Sequence, residues 1–247
     1  MKNYYFLDLD GTAFSSRRKL AHLPLEQLEP AATGKSGEPN CFSTAQHRAL
    51  ISQLSKNGDI IPVTGRNLES FLRVKIEFQN YVVLNFGAVI LNPDGSLNTD
   101  WDKIQRPKIH SFASELTNAY RQWHTISDNH QLGLRIQFNS DFDMHLQVVA
   151  KSPQGDAKRV TELRNRYEEL TDISTWRIHH NDNNLAIMPK CIGKEHAVKH
   201  LLEKVYCTEP RTLFGLADSN SDAPFLDLCD FCVIPTDSQL WSGLAQN

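Results

Sequence analysis

Apolar residues along the chain fall into two rhythms. Tyr4 to Leu7 is a short, uninterrupted apolar run ending on Asp8, the pattern of a buried parallel strand that delivers a carboxylate at its C-terminal end. Ligands bind at such ends. A polar, irregular stretch from about Ser15 to Phe42, with Arg17-Arg18-Lys19 and Thr33 to Pro39, predicts a mobile loop. Ser43 or Thr44 then caps a helix reaching about Asn57, with Ala45, Leu50, Ile51 and Leu54 as its apolar face and Gly58 at its end. A strand over Asp59 to Val63 leads into Thr64-Gly65-Arg66, a helix over Leu68 to Phe78, and another buried strand over Tyr81 to Leu84. Strand, helix and strand in alternation predict a parallel sheet.

After the turn signal Pro93-Asp94-Gly95 the rhythm changes. A helix is predicted over about Pro107 to Thr125, strands over Leu132 to Asn139 and Asp143 to Ala150, a helix over about Asp156 to Leu170, and strands over Thr175 to His180 and Leu185 to Met188. The alternating pattern then returns: a helix over about Lys194 to Val205, a strand over Thr212 to Leu216, a polar turn, and a strand near Phe231 to Ile234. The reading is an α/β core of parallel strands, 1–92 and 189–247, interrupted at 93–188 by an inserted α+β domain of two helix-strand-strand units.

Composition narrows the function classes. With 40% hydrophobic and 22% charged residues, the chain reads as a soluble globular protein, and its apolar runs are too short to span a membrane. Two carboxylates interrupt the N-terminus before a signal-length apolar segment forms, so a cytoplasmic location is expected. A formal charge of -3 without a basic tract argues against a nucleic-acid partner. Five scattered cysteines suit reduced thiols. Cys229 and Cys232 have metal or redox spacing but no second pair, and are expected to be ordinary buried residues. Gly34-Lys35-Ser36 is no nucleotide loop, because Glu29 stands at the first glycine position.

Four separated segments place chemistry at strand ends or helix starts. Asp8 and Asp10 are two carboxylates two residues apart, one to attack phosphorus, the other to protonate a leaving oxygen and then deprotonate water. Gly11 and Thr12 let backbone amides turn toward an anion. Thr64 offers a hydroxyl to a phosphoryl oxygen, Lys194 an ammonium, and Asp218 and Asp222 complete, with Asp8 and the carbonyl of Asp10, an oxygen site for Mg2+. Each has a bland reading alone: an Asp-Gly turn, a helix cap, a solvated lysine, an Asp-capped turn. Their combination carries the argument.

Asp8-Leu-Asp-Gly-Thr12, Val63-Thr-Gly-Arg66, Lys194 and the late acidic loop, in that order, resemble the four motifs of the haloacid dehalogenase superfamily. The insertion and Asn85-Phe-Gly-Ala88 are similar to the branch holding sucrose-phosphate, mannosylglycerate-type and Cof-like sugar phosphatases. The resemblance covers essentially the whole chain. It implies a Rossmann-like core with an inserted cap, Mg2+, Asp8 as nucleophile, Asp10 as acid and base, Thr64 and Lys194 on phosphate, and Asp218 on metal. Gly11, Thr12, Gly65, Arg66 and Asn85, with Arg135 and His145 of the cap, are the candidate substrate-binding residues. Ala217 and Ser221 stand where the family pattern has glycine and asparagine, so a weaker or water-mediated contact near the metal is expected.

In the cap, Leu132, Leu134, Ile136 and Phe138 alternate with Arg135, Gln137 and Asn139, and Met144, Leu146 and Val148 with His145 and Gln147. One face is apolar; the polar one, with Arg135, Gln137, His145, Gln147, Arg177 and His179, suits a polyhydroxylated substrate. His179 and His180 point to opposite faces and are not a metal pair. The expected function is a Mg2+-dependent phosphomonoesterase acting on a small, sugar-like phosphorylated metabolite through an aspartyl-phosphate. A phosphosugar mutase and a weakly catalytic phosphate-ligand sensor or assembly protein are the alternatives, and the oligomeric state is left open.

Overall fold

The computed structural model describes residues 1–181, 183–208 and 210–244. In chain order it forms β1 (Lys2–Leu7), β2 (Ser15–Ser16), β3 (Glu29–Thr33), β4 (Pro39–Ser43), α1 (Ala45–Asn57), β5 (Asp59–Pro62), α2 (Leu68–Phe71), β6 (Val82–Leu84) and β7 (Val89–Leu91). There follow α3 (Thr99–His110), α4 (Ala113–Asn129), β8 (Arg135–Asp141), β9 (Met144–Lys151), α5 (Ala157–Leu170), β10 (Trp176–Asn181) and β11 (Asn184–Pro189). The chain returns through α6 (Lys194–Lys204), β12 (Arg211–Leu216), α7 (Ala223–Leu226), β13 (Phe231–Val233) and α8 (Gln239–Leu244). Two compact units result: Met1–Asp102 with Gly193–Asn247, and Lys103–Ile192. Helix α3 runs unbroken through the first junction, downstream of the 92/93 boundary drawn from the periodicity. No described helix is long and apolar enough to cross a membrane.

In the first unit, β13, β12, β1 and β5 form a parallel sheet in that order. Strand β1 is buried on both faces: Tyr4 and Phe6 pack with Ile61, Val198 and Leu201, while Tyr5 and Leu7 pack with Leu54 and Ile60. This is why its sequence is continuously apolar rather than alternating. Parallel register pairs Leu7 with both Leu216 and Pro62. The residues that follow, Asp8, Ala217-Asp218 and Val63-Thr64, therefore emerge together at the C-terminal end of the sheet.

The stretch after Asp10 departs from the mobile loop expected. Strands β2, β4 and β3 form a three-stranded antiparallel sheet whose Ala31, Ala32 and Cys41 join the core of β1, with Leu20, Leu28 and Phe42 as a satellite cluster. Its glycines and charges mark the turns, while scattered small apolar residues supply enough burial to order it. This sheet also shortens the helix expected over Leu68 to Phe78. Asn67 caps α2, but Thr33 N–H donates to the Arg73 carbonyl, Lys75 N–H to the Ala31 carbonyl, and Val74 bridges Ala32, so strand-like pairing wins after Leu72. Strand β6, expected in the parallel sheet, joins β5's continuation by the parallel Val63–Val83 bridge, with Thr64 N–H donating to the Val83 carbonyl at 2.9 Å, and pairs antiparallel with β7.

In the second unit, β10, β11, β9 and β8 form an antiparallel sheet in that order, with Leu116 and Trp123 of α4 and Val160, Leu163 and Tyr167 of α5 packed on Ile136, Val148 and Ile187. The helix expected over Pro107 to Thr125 is two helices. Pro107 lies inside α3 instead of opening a helix, and that helix ends at His110. Clean alternation also fails in the strands. A bulge between Asn139 and Ser140 re-aims the polar side, so that His145 stacks on Phe138, which in turn stacks on Tyr120. Gln147, expected on an open face, is buried on the central strand β9. Cys232, expected to be buried, is exposed because β13 is the sheet's edge strand, while Cys229 is half-buried.

Candidate active site

At the C-terminal end of the strands four side chains converge. Lys194 opens α6 and is buried; its Nζ donates to Asp8 Oδ1 at 2.6 Å and to Asp222 Oδ1 at 2.6 Å. Asp8, Asp218 and Asp222, all buried, each bring a carboxylate oxygen within 4.8 Å of the others. Asp218 follows β12, and Asp222 ends the short turn Asn220–Asp222. The lysine is placed by close backbone approach: Gly87, at φ +96°, lies so near the Gly193 carbonyl that a Cβ there would collide with it. The rings of Phe86 and Phe225 flank the ammonium at 6.0 and 5.6 Å.

The electrostatics are lopsided. Burial pushes the Asp8 carboxyl up to about 8; Lys194 opposes this, while Asp222 and Asp218 add to it. For Lys194, burial works against the charged form, but the two adjacent carboxylates outweigh it and the ammonium is held above its ordinary value. Three buried carboxylates face one buried ammonium, plus the half-exposed Lys19. An excess negative charge on hard oxygen donors is the donor set of a divalent cation such as Mg2+, and the residues fit that ion. Asp8, Asp218 and Asp222 would hold it.

Asp10 is elsewhere engaged. Arg66 grips it bidentately, Nη2 to Oδ1 and Nε to Oδ2, both at 2.7 Å, while its Nη1 donates to the Ser70 carbonyl at 3.1 Å and its guanidinium lies 5.0 Å over the Phe14 ring. Arg66 is therefore a partner of Asp10 here, not a free anion donor. Thr64 is buried, and its Oγ1 accepts from Arg66 N–H at 3.1 Å, leaving its own proton to donate. Gly65 leaves room for the Phe86 ring, which a Cβ would strike, and Asn85, buried at φ +51°, donates its N–H to the Arg66 carbonyl.

The amides expected to face an anion do not. Gly11 N–H donates to the Phe14 carbonyl at 2.7 Å and Thr12 N–H to the Leu9 carbonyl at 3.3 Å, so both are used within the turn. What glycine provides is space: at φ +103°, a Cβ on Gly11 would run into the Asp218 carboxylate. Gly11→Ala should lower the unfolding free energy by about 1–3 kcal/mol through strain and that collision. Urea denaturation checks it; an unchanged midpoint would mean Asp218 has room to step aside. Thr12 Oγ1 is buried without a hydrogen-bond partner among the described residues.

Arg135 and His145 lie in the Lys103–Ile192 unit, on β8 and β9; both are exposed, and His145 Nδ1 is 2.6 Å from Ser140 Oγ. Two residues of the first unit were missed in the sequence. Lys19 Nζ donates to Asp218 Oδ2 at 3.1 Å, and Cys41 Sγ lies 3.4 Å from Arg66 Nη2 and 3.9 Å from Asp10 Oδ1. Both belong to the stretch read as a loop, and no motif marks them. Burial pushes the Cys41 thiol up.

No family model and no curated protein sequence matches the chain. Solved structures do. It is similar to a trehalose-6-phosphate phosphatase related protein (20% identity, 94% of this chain and 85% of that one, TM-score 0.54). It is also similar to the sucrose-phosphatase of Synechocystis sp., solved with sucrose and phosphate (18% identity, 100% and 88%, TM-score 0.55). A haloacid dehalogenase-like hydrolase from Bacteroides thetaiotaomicron matches at 12% identity over 100% and 99% of the two chains, TM-score 0.51. Near-complete coverage at such low identity establishes a shared fold, parallel core and inserted unit together.

Proposed function

We propose that this chain, which has the fold of haloacid dehalogenase-like hydrolases, is a Mg2+-dependent phosphatase of small, sugar-like phosphomonoesters. The observation that carries the reading is Lys194 bridging buried Asp8 and Asp222 beside Asp218 at the C-terminal end of the parallel strands. Asp8 attacks phosphorus, forming an aspartyl-phosphate while the leaving alcohol departs with a proton. Lys194 holds one oxygen of Asp8 in place and offsets charge on the phosphoryl group, and Thr64 donates its hydroxyl proton to a phosphoryl oxygen. Bound Mg2+ would supply further charge neutralisation of the phosphoryl oxygens.

Asp10 is the acid and base: it protonates the leaving oxygen and then takes a proton from the water that cleaves the acyl phosphate, regenerating Asp8 and releasing phosphate. Because Arg66 occupies both its oxygens, this ion pair must open on one side before Asp10 faces the leaving group. The sugar-like substrate class is supported by the names of the similar structures, a sucrose-phosphatase, a trehalose-6-phosphate phosphatase and a trehalose-6-phosphate phosphatase related protein. Exposed Arg135 and His145 are the candidate contacts to its hydroxyls. Five free cysteines support a reducing compartment, in keeping with the cytoplasm.

The test is phosphate release across sugar phosphates, nucleotides and phospho-acids, with Mg2+ supplied or chelated. Sugar phosphates should be turned over best, and chelation should remove the activity. Silence across the panel, or activity indifferent to chelator, overturns the reading. Release of free phosphate also separates it from a mutase, which returns phosphate to the sugar.

A further inference from the structure

We infer that Lys19 is a built-in competitor of the divalent cation for Asp218 and sets the cation concentration at which the centre fills. The inference rests on the cation site proposed above. Asp218 has both oxygens engaged: Ser219 Oγ donates to Oδ1 at 3.0 Å and Lys19 Nζ to Oδ2 at 3.1 Å. Oδ2 is the oxygen beside Gly11, and Lys19 Nζ lies 3.0 Å from the point where a Gly11 Cβ would stand, so the ammonium sits over the Asp8–Thr12 turn itself. Two cations sharing one carboxylate oxygen repel each other, so an ion on that oxygen requires the ammonium to withdraw.

The ammonium is delivered there by structure. Lys19 lies in a turn in which Leu20 N–H donates to the Ser16 carbonyl at 3.3 Å and Arg17 donates to the Leu20 carbonyl. Ser16 pairs with Cys41 in the small sheet, and the neighbouring Leu20 is buried against Leu28 and Phe42. Yet the Lys19 side chain is 46% exposed, against 5% for Asp218. It has solvent to withdraw into, whereas buried Lys194, held by two carboxylates, has none. The lysine that moves and the lysine that stays are thus distinguished by burial alone.

Calorimetric titration of Mg2+ into the full chain, without substrate, tests this. Lys19→Gln should bind Mg2+ about tenfold more tightly than wild type, Lys19→Arg should bind as wild type does, and Lys35→Gln, the same charge change at an exposed site, should leave affinity unchanged. Equal affinity in wild type and Lys19→Gln, with binding lost in Asp218→Asn, overturns the role of Lys19 and leaves the proposed centre standing. Binding that survives Asp218→Asn, or no binding to wild type and Lys19→Gln alike, overturns both. Binding by Lys19→Gln where wild type shows none supports the inference in its strongest form.

Discussion

Asp8→Asn is expected to lower phosphate release by about 10^4-fold or more while raising the stability of the metal-free protein. The first effect follows from removing the nucleophile, which no neighbouring group replaces. The second has a definite sign. Burial, with Asp222 and Asp218 behind it, raises the Asp8 carboxyl from 3.8 to about 8 in the folded chain. An acid that is harder to ionise when folded opposes folding. That opposition is absent below about pH 4, grows as pH rises, and is complete above about pH 8. Asparagine keeps the shape and removes the charge. In chelator, the variant should melt about 2–4 °C higher than wild type at pH 8, the shift that roughly 1 kcal/mol produces in a chain of this size, with a smaller gain at pH 5. A variant that melts lower at pH 8, or that still releases phosphate, contradicts the assignment of Asp8. Gain of stability with loss of turnover is the signature of a charge retained for chemistry.

Lys194→Met carries the largest expected loss of stability. It leaves Asp8 and Asp222 buried beside Asp218 with their shared ammonium gone. Breaking such a buried arrangement costs about 3–5 kcal/mol, because the remaining charges cannot reach solvent. Acid should relieve the loss: Lys194 is the group that opposes the rise of the Asp8 carboxyl, so without it Asp8 takes up its proton more readily as pH falls and one of the repelling charges disappears. Activity should fall about 10^2 to 10^3-fold, the scale for deleting one preorganised charge donor. Urea unfolding at pH 5 and pH 8 reads the first effect and initial rates of phosphate release read the second. A Lys194→Met protein as stable at pH 8 as wild type would show that the lysine is not the internal counterion. The contrast with Lys19 is instructive: one lysine is part of the folded core, and the other stabilises little because half its side chain is in water.

The elements that were legible in the sequence were those whose partners are dictated by periodicity. Strand β1 reads as a buried strand because both its faces are covered, α1 because Thr44 caps it and Gly58 ends it, and α6 because Lys194 follows Gly193 at its start. What was not legible depends on competition between distant segments. Whether Leu72 to Phe78 continues a helix is settled by Ala31 and Thr33, some forty positions earlier in the chain, which offer backbone partners to Arg73 and Lys75. Likewise His145, still exposed, stacks on Phe138 because β9 carries an extra residue, Leu146, opposite Asn139 and Ser140, a bulge that alternation on β9 alone does not reveal.

That carboxylates, a threonine and a lysine stand at strand ends and a helix start is written in the chain's local pattern, since apolar runs and caps are local properties of consecutive residues. The parallel core and the inserted unit are written there too. How those groups share charge emerges from packing: Lys194 between Asp8 and Asp222, Arg66 on Asp10, Lys19 on Asp218, and the amides of Gly11 and Thr12 turned inward. The reason is physical. Which oxygen a cation reaches depends on register, backbone approach and burial to within about an ångström, and those are set by the whole packed sheet rather than by any stretch of its sequence.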